Sequence, residues 1–278
     1  MKIDAHHHFW NYSPKEYPWI GEGMDALKRD FTPDDLKPLL DKAGLDGVIS
    51  VQARTDSREN DFLTSYGRQH DFIKGIVGWV DLTRNDARKE ISLFSEMKKA
   101  VGIREILQGM DDDAYCLRDD FNRGVSLLHD FGLVYEVLIF HRHLPNAIQF
   151  VDKHPNQLFV LDHIAKPDIQ SDKPDPAWVK NMKSLGQRDH VFCKVSGMIT
   201  EVKRDLTWTP KNLRPYFDVV LEAFGPKRLM FGSDWPVCLL RGKYQQWVNC
   251  VEEWTSDLTG DEQAAIWGGS ASRAYGLH

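Results

Sequence analysis

The chain has 278 residues, the usual span of one eight-fold α/β barrel, so a single domain over 1–278 is expected. Apolar residues make up 42% and charged residues 27%, values that exclude a disordered chain. The net charge of −6, with acids and bases interleaved, offers nucleic acid no basic stripe, so a small-molecule partner is expected.

Eight short apolar or β-branched runs recur along the chain, most of them followed by a stretch of helical periodicity. That is the pattern of parallel strands joined by helical crossovers. Strands are expected near Lys2–His6, Gly47–Gln52, Ile73–Val80, Val101–Leu107, Val134–Ile139, Leu158–Asp162, Val191–Val195 and Leu229–Phe231. Thr32 and Pro33 open a helix whose Leu36, Leu39, Leu40 and Ala43 form one stripe before Gly44 stops it. Phe121, Val125, Leu128 and Phe131 make a further stripe ended by Gly132. Thr209 and Pro210 start another, with Leu213, Phe217, Val220, Leu221 and Phe224 on one face and Gly225-Pro226 as its stop. Two longer connections, Phe9 to Phe31 and Ile164 to about Asp175, are expected to shape a substrate mouth. No apolar run approaches the roughly 20 residues of a membrane span, and the start Met1-Lys2-Ile3-Asp4-Ala5 has no apolar signal segment. No membrane partner and a cytoplasmic location are therefore expected. Cys116, Cys193, Cys238 and Cys250 form no C-x-x-C pair and read as reduced, structural thiols. Nothing in the sequence speaks to oligomeric state.

Polar residues gather at the C-terminal ends of the expected strands, where barrel active sites sit. In Asp4-Ala5-His6-His7-His8, residues two apart face the same way, so His6 and His8 point into the barrel mouth and His7 outward. Such an imidazole pair suits a transition-metal ion or a substrate carbonyl. Glu105 lies in the apolar run Gly102–Leu107, where a buried carboxylate demands a partner: a metal ion, or a distant Lys or Arg. His163 ends the sixth strand with Lys166 just beyond it, in a place where a lone histidine is often only a hydrogen-bonded core residue. Asp234 follows the eighth strand in Gly232-Ser233-Asp234-Trp235-Pro236. An aspartate there accepts a proton from water or ligates a metal, the bland alternative being a helix cap. Gln52, Arg54, Arg104, His143, Lys166 and Trp235 are the expected substrate contacts, while Lys194, Ser196 and His141 are weaker candidates.

These motifs together resemble the amidohydrolase-related family, and within it the sugar lactonases that open L-fucono- and L-rhamnono-lactones. The resemblance runs through DAHHHFW, VQAR, GIVGWVDL, VGIR, FVLDHIAKP, CKVSG and RLMFGSDWPV. It implies a distorted (β/α)8 TIM barrel and hydrolysis of a sugar lactone. Asp234 would serve as general base, and His6, His8 and His163, or an ion they hold, would polarise the carbonyl. Where many relatives read GIRH this chain reads GIRE, and a carboxylate facing two histidines favours a metal-bound form. The expected centre is one divalent ion, Zn first, on His6, His8, Glu105 and Asp234, with His163 as ligand or electrophile; metal-independent catalysis stays open. A metal-dependent decarboxylase of the same superfamily is the rival reading, and a non-catalytic sugar-binding protein a third.

Overall fold

The apolar runs form eight parallel strands in a computed structural model that describes residues 1–277. They are β1 (Ile3–His7), β2 (Gly47–Val51), β3 (Ile73–Gly78), β4 (Ala100–Glu105), β5 (Val134–Val137), β6 (Phe159–Leu161), β7 (Val191–Val195) and β8 (Leu229–Phe231). Each pairs with the next in sequence order, and an isolated parallel bridge between His7 and Trp235 joins the last to the first. The arrangement is a (β/α)8 TIM barrel, with its seam held beyond the regular end of β8.

The helices are α1 (Pro33–Ala43), α2 (Arg58–Gln69), α3 (Ala87–Ser95), α4 (Asp119–Val125), α5 (Leu144–Asp152), α6 (Pro176–Leu185), α7 (Pro210–Phe224), α8 (Tyr244–Thr255), α9 (Gly260–Ala264) and α10 (Ser270–Tyr275). None described is long and apolar enough to cross a membrane. The capping grammar holds in α1, where Thr32 and Asp35 form a capping box and Gly44 closes the helix in the left-handed region at φ 64°. The expected stripe from Phe121 to Phe131 is not one helix. After α4 the hydroxyl of Ser126 donates to the carbonyl of Arg123, a local bond that competes with helical pairing, and a separate tight turn carries Leu128–Phe131.

Side chains alternate between two cores. Ile3, Ala5, Ile49, Val51, Val77, Val134, Val160, Phe192 and Met230 fill the bore, and α10 plugs its lower end with Ala271, Ala274 and Tyr275. The larger core lies between the strands and the helices. Several strands stop short of their expected ends: β3 at Gly78, β4 at Glu105 and β5 at Val137, because the chain leaves the ladder there to build the rim of the mouth.

The turn after β2 depends on Glu59 of α2, which is buried and accepts from the backbone N–H groups of Ala53 (3.0 Å) and Arg54 (3.1 Å). Burial raises its pKa from 4.5 to about 7, against those two bonds. A carboxyl raised on folding contributes stability that is present below pH 4.5 and lost as pH rises through about 7. Glu59→Gln does not titrate, so its unfolding free energy in urea should gain on the wild type between those pH values. The gain should be on the order of 3 kcal/mol. A difference that stays flat across this window would contradict the assignment.

Candidate active site

The floor of the mouth is set by an irregularity in β1. The pairing register with β2 shifts between Asp4 and His7. Asp4 consequently points out of the bore, where its carboxylate accepts from the Tyr244 hydroxyl (3.0 Å) and from the backbone of His6 (3.2 Å) and Ser233 (2.8 Å). His6 turns inward together with His8, and His7 faces out to the Ser50 hydroxyl (2.9 Å). Asp234 meets them from β8: its N–H donates to the His6 carbonyl (2.8 Å) and its backbone is left-handed at φ 55°.

Three imidazole nitrogens converge on one carboxylate oxygen. Asp234 Oδ1 lies 3.5 Å from His8 Nε2, 3.8 Å from His6 Nε2 and 3.9 Å from His163 Nε2. His6 Nε2 and His8 Nε2 are 3.2 Å apart. Ligand atoms on a four-coordinate ion, each about 2.1 Å from it, stand about 3.4 Å from one another. The spacing therefore fits a divalent metal ion. The His8 tautomer fits as well: its Nδ1 donates to the Val51 carbonyl (2.8 Å) and leaves Nε2 as a lone pair, while His163 Nδ1 is paired with the Ser196 hydroxyl (2.8 Å) and His6 Nδ1 faces Lys194 (3.0 Å). Burial and the adjacent Lys194 ammonium hold His6 well below the usual imidazole range, and burial takes His163 down to about 4. Neutral imidazoles are the form that binds metal. Burial pushes Asp234 upward, yet the His163 and His8 imidazoles outweigh it and keep the carboxylate below its ordinary range.

Beneath this cluster lies a layer of charge that crosses the bore. Lys194 of β7 is fully buried and reaches Glu136 Oε1 (2.6 Å), Asp162 Oδ1 (3.1 Å) and His6 Nδ1 (3.0 Å). Arg104 of β4 donates to Asp162 Oδ2 (2.8 Å), lies 3.3 Å from His6 Nε2 and clasps Gln52 through its carbonyl and side chain. The Tyr275 hydroxyl donates to Glu136 from below. Two cations meet two carboxylates out of water, so none is left uncompensated. Asp162 is raised by burial but driven well below the carboxylate range by Lys194, His6 and Arg104; Glu136 is raised by its burial.

Above the cluster opens a cavity of about 900 Å³, its wall including His8, Arg104, His163, Lys166, Glu201 and Asp234. Of the residues expected from sequence, His8, Arg104, His163, Lys166 and Asp234 line it, and His6 lies fully buried against them. The others stand elsewhere. Glu105 does not join the histidines: neighbours on a strand face opposite ways, Arg104 takes the inward position, and Glu105 turns outward to the Trp79 indole N–H (2.8 Å). Gln52 is spent on holding Arg104. Arg54 pairs with Glu16 beside a smaller neighbouring cleft. His143 accepts from the Phe140 N–H through Nδ1 and bonds Asp113 through Nε2 (2.7 Å), which occupies both nitrogens. Trp235 is buried against Phe9 and Phe31. Sequence reasoning passed over Asp162, Glu136 and Glu201. For Glu136 a signal was present, since a carboxylate inside Val134-Tyr135-Glu136-Val137 needs a buried cation, and Lys194 is its counterpart on β7.

Residues 3–277 match a family model described as Amidohydrolase. The chain belongs to the amidohydrolase family. As an amidohydrolase it is 40% identical to an L-fucono-1,5-lactonase of Burkholderia multivorans over 286 aligned residues, covering 100% of this chain and 96% of that one. A crystal structure of an amidohydrolase from Burkholderia multivorans with bound Zn is 40% identical, with a TM-score of 0.95 and full coverage of both chains. A 2,6-dihydroxybenzoate decarboxylase from Rhizobium, at 15% identity and a TM-score of 0.69 over 99% of this chain and 98% of that one, shares the fold alone.

One glycine guards the amidohydrolase site. Gly197 has φ 65°, and a methyl group there would lie 2.6 Å from His163 Nδ1. Gly197→Ala should cost about 1 kcal/mol of stability from backbone strain alone. It should also displace His163 from Ser196 and lower metal occupancy measured by elemental analysis. Full occupancy in a folded variant would show that His163 is not held by this contact.

Proposed function

We propose that this chain hydrolyses a sugar lactone of the L-fucono-1,5-lactone type to the free sugar acid, acting as a single domain over 1–278. The observation that carries the reading is the ring of three imidazole nitrogens around Asp234 Oδ1 at the floor of the cavity. Full-length similarity to a lactonase supports the choice of substrate class.

The lactone ring enters over His163 and Asp234, with its carbonyl toward the imidazoles. Asp234, kept ionised by its neighbours, takes a proton from the attacking water as the new C–O bond forms. The oxyanion of the tetrahedral intermediate is stabilised by the Arg104 guanidinium in the cavity wall. Collapse breaks the ring ester bond, and Asp234 returns its proton to the departing alkoxide, which remains attached as a hydroxyl of the open acid. His6, His8, His163 and Asp234 would hold a divalent ion, with Zn as our assignment. When bound, it polarises the carbonyl and acidifies water. Asp162 and Lys194 orient the His6 ring from behind, and burial together with the Lys194 ammonium keeps it neutral against the pull of Asp162.

A pH-indicator assay on aldono-lactones tests the reading. Asp234→Asn should lose on the order of 10³-fold in kcat, and a chelator should lower the wild-type rate with Zn restoring it. If no lactone is opened while a carboxylated aromatic acid releases carbon dioxide, the assignment passes to a lyase. A wild-type rate indifferent to chelator would leave the hydrolase and remove the metal.

A further inference from the structure

The wall of the cavity holds a carboxylate that the chemistry above does not use. Glu201 follows β7 and stands opposite Lys166, Oε1 to Nζ 3.6 Å, with both side chains 18% exposed. Lys166 aside, its oxygens meet no hydrogen-bond donor among the described residues. Burial raises its pKa, and Lys166 opposes the shift. Glu201 is half-buried with a single cationic neighbour, and the open side of its carboxylate is the cavity, where its oxygens are free to accept from a ligand.

The fold goes to some expense to bring Lys166 there. His163, Ile164, Ala165 and Lys166 have φ of 52°, 49°, 60° and 45°, a left-handed turn built without glycine. Each such residue costs roughly 1–2 kcal/mol. The turn persists because the Trp178 indole donates to the Ile164 carbonyl (3.0 Å), the Lys166 N–H donates to the His163 carbonyl (2.8 Å), and Ile164 and Ala165 are fully buried. Its effect is to set Lys166 in the same wall as His163. The segment that follows is tied to the Glu201 loop by the Ile169–Val202 bridge and by the Lys203 N–H to the Ile169 carbonyl (3.0 Å). Strain of this kind, held by its surroundings, gathers where a ligand must be met.

We propose that Glu201, paired with Lys166, determines specificity by reading the ring hydroxyls of a neutral, polyhydroxylated lactone. The inference rests on the lactonase reading and deepens it. Carboxylate oxygens accept from adjacent hydroxyl groups, and the ammonium donates to the oxygens of those same groups. The pair carries no net charge, which suits an uncharged sugar ring; a cationic ligand would meet Lys166, Arg104 and Arg204 in the same wall. Glu201 touches hydroxyls and takes no part in the bond changes at the carbonyl.

The test compares kcat/KM for L-fucono-1,5-lactone with that for δ-valerolactone, which keeps the ring ester and lacks the hydroxyls. In the wild type the hydroxylated lactone should be strongly preferred, and Glu201→Gln should lower that preference by about 100-fold. Lys166→Met should lower it in the same direction, and it serves as the probe if the first variant melts early by circular dichroism. An unchanged preference in folded variants, with both lactones slowed in parallel, overturns the assignment while leaving the lactonase intact. Failure of the wild-type protein to open either lactone would instead overturn the lactonase reading and this inference with it.

Discussion

The fully buried ammonium of Lys194 is the constraint on which the site depends. It bridges Glu136 and Asp162 across the bore and touches His6, while Arg104 completes the balance from the other side. Removing any one partner would leave an uncompensated charge in the buried interior, at a cost of about 3–5 kcal/mol. The network thus fixes four strands relative to one another at the depth where their chemistry begins. It also holds the first imidazole of the cluster from behind. Tyr275 extends the same network to the plug at the lower end, so the last helix helps set the height of the floor on which the histidines stand.

Above that rigid layer the backbone departs from regular geometry in several places around the mouth. The register shift in β1, the left-handed turn from His163 to Lys166 and the positive φ of Asp234 each aim a side chain that a continued strand would misdirect, while Gly197 leaves room for His163. A straight β1 would place Asp4 and His6 on one face. The shift sends Asp4 to Tyr244 and His6 to the centre. A barrel tolerates such strain at its C-terminal rim because all eight strands below remain paired in a continuous sheet.

Much was legible before the tertiary structure. Eight apolar runs with capped amphipathic stretches between them specify a parallel barrel, since only crossovers covering a sheet on its outer face bury both patterns. That His6, His8, His163 and Asp234 come together at the mouth was readable too, because each is a polar residue at the C-terminal end of an expected strand. Glu105 was misread for a local reason: its identity as an isolated acid was visible, but the inward position belongs to Arg104. Gln52, Arg54, His143 and Trp235 carry donor groups or rings at strand ends, and sequence does not reveal that each is already occupied by a protein partner.

The sequence by itself determined which strands exist, which ends carry imidazole and carboxylate, and which family the pattern belongs to, because periodicity and strand-end chemistry are local properties. Only the tertiary structure decided which acid meets which base. Glu136 and Lys194 lie on two strands and Asp162 just past the end of a third, and Glu201 meets Lys166 across two loops. Their pairing follows from barrel closure and from backbone conformations that no spacing in the sequence encodes.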